Sequence, residues 1–122
     1  ILKGLARADG EWFNWINSDD LLAPGALWEV ARVRDADLFG GCTQNFSEHE
    51  LDRLRTSRAL TARDLVRLPI ESRTRWHQPG IWYRTAALRE TGIDATLHYR
   101  FDLDLLIRYT QRFPRVQYSD RT

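Results

Sequence analysis

Four small polar residues, Asn17, Ser18, Asp19 and Asp20, end an aromatic run that begins at Trp12. Adjacent carboxylates repel unless something cationic lies between them, and their hard oxygens suit Mg²⁺ or Mn²⁺. The run Trp12 to Ile16 reads as a buried strand. A strand that carries polar groups to its carboxyl end is how open α/β sheets build ligand sites. The same four residues would also make an Asp-rich turn that caps the next helix or binds water.

Two further stretches gather groups capable of chemistry. Between Arg73 and Arg84 stand three arginines, His77, Gln78 and three aromatics, running into a short strand at Ile81 to Tyr83. Arginine with aromatics binds single-stranded nucleic acid by charge and stacking. The same set holds a sugar, with aromatic faces on its C–H surface and polar neighbours on its hydroxyls. Core packing alone accounts for Trp82. In the segment Phe101 to Phe113, Leu103, Leu106, Ile107 and Phe113 share one helical face. Asp102 then falls at or near the N-cap and Asp104 in the first turn, where carboxylates take backbone N–H groups and complement the helix dipole. Arg108, one turn on, would pair with a carboxylate or approach a phosphate.

The elements that position these groups follow from pattern and punctuation. Ile1 to Ala8 looks like the end of an amphipathic helix, and Asp9-Gly10 is a turn signal. Pro24 suits a first helical position, and the helix to about Arg34 puts Leu27, Val30 and Ala31 on one face. Strands are expected near 11–17, 37–45, 79–84 and 115–118. Gly40-Gly41 inside a strand implies a bulge or a close backbone approach. Cys42 reads as a small buried hydrophobe. The charged stretch Phe46 to Leu60 reads as a solvated helix or loop. Thr61 and Asp64 form a capping box for a short helix through Leu68, which Pro69 stops. Thr85 to Thr91 forms another helix that Gly92 ends, with Asp94 in the following turn. Leu97 to Arg100 reads as extended.

With 122 residues the chain is one domain or part of one, large enough to bury a core. Hydrophobic residues at 43% and charged residues at 29% are ordinary for a soluble globular protein. A net charge of +1 gives no reason to expect a nucleic-acid or anionic-membrane partner. Lys3 is the one lysine among 18 basic residues; arginine suits phosphate recognition, but a GC-rich genome gives the same bias. One cysteine excludes an internal disulfide and argues for a reducing compartment. No apolar run approaches membrane-spanning length and no signal peptide opens the chain, so the sequence reads as cytoplasmic with no membrane span.

The strings Lys3-Gly4, Ala8-Asp9-Gly10-Glu11, Trp15-Ile16-Asn17-Ser18-Asp19-Asp20 and Pro24-Gly25-Ala26-Leu27 resemble the metal-site region of family 2 glycosyltransferases. Asn17 stands where their Asp-x-Asp motif has its first position. Gln78-Pro79-Gly80-Ile81-Trp82-Tyr83-Arg84 is similar to the family's Gln-Pro-x-x-(aromatic)-x-Arg segment. Phe101 to Arg108 is similar to its (Glu or apolar)-Asp-x-Asp-Leu-x-x-Arg motif.

The resemblance implies a GT-A fold, an α/β three-layer α/β/α architecture with a mixed sheet, in a single catalytic domain. It also implies that the chain begins after the strand, helix and strand that grip the nucleobase, so that the domain is N-terminally incomplete. Donor binding falls to Asn17, Asp19 and Asp20, with Asp19 as the ligand of Mn²⁺ or Mg²⁺. His77, Gln78 and Trp82 fall on the acceptor side, and Asp102 is the general base. The implied reaction is an inverting transfer from a nucleotide-sugar donor to a carbohydrate or other hydroxyl acceptor. Without its nucleobase half, the domain would be a non-catalytic binding remnant. A sheet without its first strands exposes an edge, and pairing with a second copy in a homo-oligomer is one remedy.

Overall fold

The computed structural model describes residues 1–67 and 74–120. Its centre is a four-stranded mixed sheet built from β1 (Trp12–Phe13), β2 (Leu38–Gly40), β5 (Ile81–Arg84) and β6 (Val116–Tyr118), in the order β1-β5-β2-β6. β5 runs antiparallel to both β1 and β2, while β2 and β6 are parallel. A separate hairpin pairs β3 (Cys42–Thr43) with β4 (Arg55–Thr56).

Strand alternation sends successive side chains to opposite faces. Leu38, Ile81 and Tyr83 therefore enter one core and Phe39 and Trp82 the other. The larger core takes Leu5 of α1 (Leu2–Arg7), Leu65 of α3 (Ala62–Val66), Leu88 of α4 (Thr85–Thr91) and three residues of α5 (Phe101–Arg112). The smaller core lies against α2 (Ala26–Arg32), where Val30 meets Val33, Ala36 and Phe39. Helices thus cover both faces of a mixed α/β sheet.

Arg84 and Tyr109 lock the two sides together. The Arg84 guanidinium donates to the Ala36 carbonyl at 2.9 Å and the Arg34 carbonyl at 2.8 Å, where α2 has just ended. It pairs with Glu11 and lies 3.8 Å above the Trp12 ring. From the other face, the Tyr109 hydroxyl donates to the Asp37 carbonyl at 2.6 Å and accepts the Arg84 N–H at 3.1 Å.

Several elements differ from the sequence reading. The strand expected over 11–17 keeps ladder pairing only at Trp12 and Phe13. Beyond Phe13, side chains replace the ladder: Asn14 donates to the Pro79 carbonyl at 2.8 Å, and the Gln78 amide donates to the Trp15 carbonyl. The 37–45 strand divides into β2 and β3 at Gly41. α2 begins after Pro24, with Gly25 as N-cap at φ 84, a left-handed conformation that favours glycine. It buries Val30 while Leu27 and Ala31 are exposed.

The core stripe of α5 is Leu105, Leu106, Tyr109 and Thr110, with Leu103, Ile107 and Phe113 half-buried beside it. Tyr109 turns inward because its hydroxyl finds two backbone partners there. Asp102 does lie near the cap, inside the first turn, the cap itself being Arg100 at φ 58. Leu97 to Arg100 bends instead of extending. The stretch 46–60 is mostly solvated, yet it contributes β4 and buries Ser57 and Leu60.

Other expectations match. Thr61 caps α3 by accepting the Asp64 N–H at 3.1 Å. Gly92 ends α4 at φ 72. Asp94 closes a turn by accepting the Thr96 N–H at 2.9 Å. Arg108 pairs with Asp104 at 2.8 Å and donates to the Thr91 and Gly92 carbonyls at the end of α4. Leu68, Pro69 and Arg73 lie outside the described residues.

Candidate functional site

The carboxyl end of β1 is built by short polar contacts between two distant segments. Asn17 donates its backbone N–H and its side-chain amide to one Asp20 carboxylate oxygen, both at 2.9 Å. The Asp20 N–H returns to the Asn17 carbonyl at 3.1 Å, closing a turn. Asn17 also reaches the Gln78 side-chain oxygen at 3.5 Å. Gln78 begins the 3-10 turn Gln78–Gly80, and its amide nitrogen meets Asn14 as well as Trp15. Asn14 and Gln78 thus hold the turn against the strand end.

Glycines allow the same turn to meet β2 backbone to backbone. The Gly41 N–H donates to the Gly80 carbonyl at 2.7 Å. A Cβ at Gly41 would lie 3.0 Å from that oxygen, closer than side chains normally approach. Ser57 supports the junction from beneath, donating to the Gly41 carbonyl at 2.9 Å. The expected close approach at Gly40-Gly41 is present on both residues.

These contacts open into a cleft of about 590 Å³. Asn17, Asp20, His77 and Trp82 all line it, so groups from two separate stretches share one space. Trp82 does two things: it packs on the smaller core and faces the cleft. Burial, reinforced by the nearby charges of Arg55 and Arg75, holds the His77 pKa below its ordinary value. His77 is therefore neutral near pH 7 and able to accept a proton or a hydrogen bond. Cys42 also lines the cleft and is half-buried rather than buried.

Gln78, Asp19 and Asp102 stand apart from that lining, Gln78 because its amide is turned to Asn14 and Trp15. Asp19 is exposed on the outside of the turn, and its carboxylate has no partner among the described residues. Asp102 sits in the first turn of α5, accepting the Leu103 N–H at 2.8 Å. Its neighbour Phe101 stacks on Trp15 with ring centroids 6.0 Å apart, which brings the start of α5 to the same end of β1. Tyr83, wholly enclosed there, has its pKa pushed far up by burial and then by the Asp102 charge.

No three His, Cys, Asp or Glu side chains converge to hold a metal among the described residues. The residues present fit a sparser mode, in which Mg²⁺ takes one or two carboxylates and completes its shell from water and substrate phosphates. Asp19, hard, exposed and unpartnered, is the carboxylate suited to it.

The chain matches no protein-family model, no curated protein and no solved structure. No helix among the described residues is long and apolar enough to cross a membrane.

The sequence reading missed the walls of the cleft. Leu21 and Leu22 follow the Asp20 turn, and Phe46, Leu51 and Leu54 come from the β3–β4 hairpin. The available signal was apolar side chains recurring within an otherwise charged stretch. A second hollow of about 690 Å³, lined by Trp28, Arg32 and Tyr118 among others, holds none of the predicted site residues.

Proposed function

We propose that this chain carries the metal and acceptor side of a glycosyltransferase of the GT-A type. One observation supports the reading above the others. Asn17 and Asp20 of one turn and His77 and Trp82 of a distant segment, in stretches that resemble the donor and acceptor segments of family 2 enzymes, line one cleft.

The chemistry follows from the groups. An acceptor hydroxyl attacks the anomeric carbon of a nucleotide-sugar, forming a C–O bond as the bond to the diphosphate breaks. The nucleoside diphosphate leaves with the electron pair, and the hydroxyl proton passes to Asp102 as general base. Attack from the face opposite the leaving group inverts the anomeric centre. Mn²⁺ or Mg²⁺ held by Asp19 would neutralise the charge developing on the diphosphate. Asn17 and Asp20 orient the ribose side, while His77, Gln78 and Trp82 border the acceptor.

A second reading, a binding or interaction module that keeps the fold but cannot hold the nucleotide, draws support from Asp20. Its carboxylate is committed to Asn17, leaving Asp19 as the one unengaged carboxylate of the turn. Thermal-shift titration with UDP- and GDP-sugars, with and without Mn²⁺, separates the two. Ligand bound only to the folded state raises stability with its concentration. A metal-dependent shift that disappears in Asp19→Ala is the result expected for a transferase, and the preferred nucleotide names the donor class. No shift with any nucleotide would leave the binding module.

A further inference from the structure

The apolar walls of the cleft exceed what a sugar hydroxyl requires. Leu21 and Leu22 line it from the turn after Asp20, and Phe46, Leu51 and Leu54 from the β3–β4 hairpin, all exposed large apolar side chains. Apolar surface gathered in one concave place marks a ligand site rather than random exposure. The hairpin wall is built, not loose. Phe46 pairs with Leu51 across an antiparallel bridge, the Ser47 N–H donates to the Glu50 carbonyl at 2.8 Å, and the Asp52 N–H to the Asn45 carbonyl at 2.9 Å.

Charge narrows the occupant. The lining holds the carboxylates of Asp20 and Glu29, and none of its residues is lysine or arginine. His77 stays neutral near pH 7. A carboxylate or phosphate seated here would meet Asp20 and Glu29 and lose hydration with no lysine or arginine of the lining to replace it, since Arg55 and Arg75, whose charges reach His77, lie outside the lining. A hydroxyl finds a hydrogen-bond partner at His77 and at other polar groups of the lining. A volume of about 590 Å³ suits a small molecule, not a folded partner.

We infer that the cleft binds an uncharged amphiphile, with its hydroxyl-bearing head at His77 and its apolar tail or ring among Leu21, Leu22, Phe46, Leu51 and Leu54. The inference rests on the transferase reading for the head's role, and it names the acceptor class: a hydroxyl carried on an apolar body. Binding itself makes and breaks no covalent bond.

Cys42 lines the cleft and is the chain's single cysteine, so its alkylation rate reports occupancy. Octyl β-glucoside below its micelle concentration is expected to slow maleimide alkylation of Cys42, about tenfold at ten times its Kd. Glucose alone and octyl phosphate at the same concentration are expected to leave the rate unchanged. Leu21 and Leu51 are 77% and 71% exposed, so Leu21→Asp and Leu51→Asp are expected to keep the parent melting curve and lose the protection. Leu51→Asn, uncharged, provides a second variant should either aspartate disturb folding.

Absence of protection by octyl β-glucoside overturns the inference. So does equal protection by octyl phosphate, or protection that survives every one of these variants. The nucleotide-sugar titration is read separately on the same protein. A nucleotide shift without Cys42 protection removes the amphiphile and leaves the transferase. Protection without any nucleotide shift removes the transferase and leaves an amphiphile site.

Discussion

Gln78 donates its side-chain amide to the carbonyl of Trp15 and so fixes the turn before β5 to the strand end that carries Asn17 and Asp20. The same amide nitrogen reaches Asn14, and the amide oxygen accepts from Asn17. Gln78→Glu replaces the donor with an acceptor facing two oxygens. Leaving such partly buried groups unsatisfied costs about 1–3 kcal/mol. Gln78→Glu is expected to lower the denaturation midpoint more than Gln78→Ala does. Equal midpoints in urea would mean that the amide does not tie the segments together.

Gly40 sits where three side chains converge. A Cβ built there would lie 2.9 Å from the Ser57 Cβ, 3.0 Å from a Tyr118 ring carbon and 3.1 Å from a Leu60 methyl. Overpacking of this kind costs about 1–3 kcal/mol. Gly40→Ala should destabilise the fold, and the double variant with Leu60→Ala should lose less stability than the sum of the two separate losses. Strict additivity in a double-mutant cycle would contradict the contact.

Acid should unpick the start of the parallel β2–β6 pair. Burial acts to raise the Asp37 carboxyl, but hydrogen bonds and charge from Arg115, together with the Arg84 charge, outweigh it and hold the pKa below 3.8. Because the folded pKa is the lower one, this stabilisation is complete above the ordinary carboxylate value and is lost as pH falls through the folded value. Arg115 is 66% exposed, so solvent screening keeps the contribution of the pair small. Asp37→Asn should lower stability at neutral pH and flatten its decline in acid. Parallel stability–pH curves for the two proteins would show the pair to be inert.

His77 should behave in a related way for a different reason. Burial, then Arg55 and Arg75, depress its pKa from 6.5. The unfolded chain therefore takes up the proton first, and stability falls as pH drops through 6.5 toward the folded value. Arg55→Gln should raise the titration midpoint of His77 followed by proton NMR. A midpoint that stays put would assign the depression to burial and Arg75, without Arg55.

Much of the architecture was legible because it depends on local signals. Gly92, Thr61 and Asp94 act within a few residues, and their roles follow from turn and cap chemistry. The alternation around Trp82 likewise located β5. What was not legible depends on distant partners. Tyr109 faces inward because Asp37 and Arg84 meet its hydroxyl, and no spacing within α5 shows that. The 11–17 strand stops early because Gln78 supplies bonds that a neighbouring strand would otherwise provide.

The candidate site divides in the same way. Its polar residues were visible as a pattern of small acids and amides. Leu51 and Phe46, surrounded by charge in the sequence, acquire meaning only when the hairpin brings them into the same cleft as Leu21.

Leu38 and Phe39 are consecutive, yet they belong to different cores on opposite sides of the sheet. The cleft borders the smaller core through Val30, Phe39 and Trp82, while the larger core of α1, α3, α4 and α5 lies behind the sheet. Ligand preference can therefore evolve by repacking one modest compartment while the larger one keeps the chain folded. Substitutions in the two compartments should combine with little epistasis, giving the protein room to change what it recognises before it risks losing its shape.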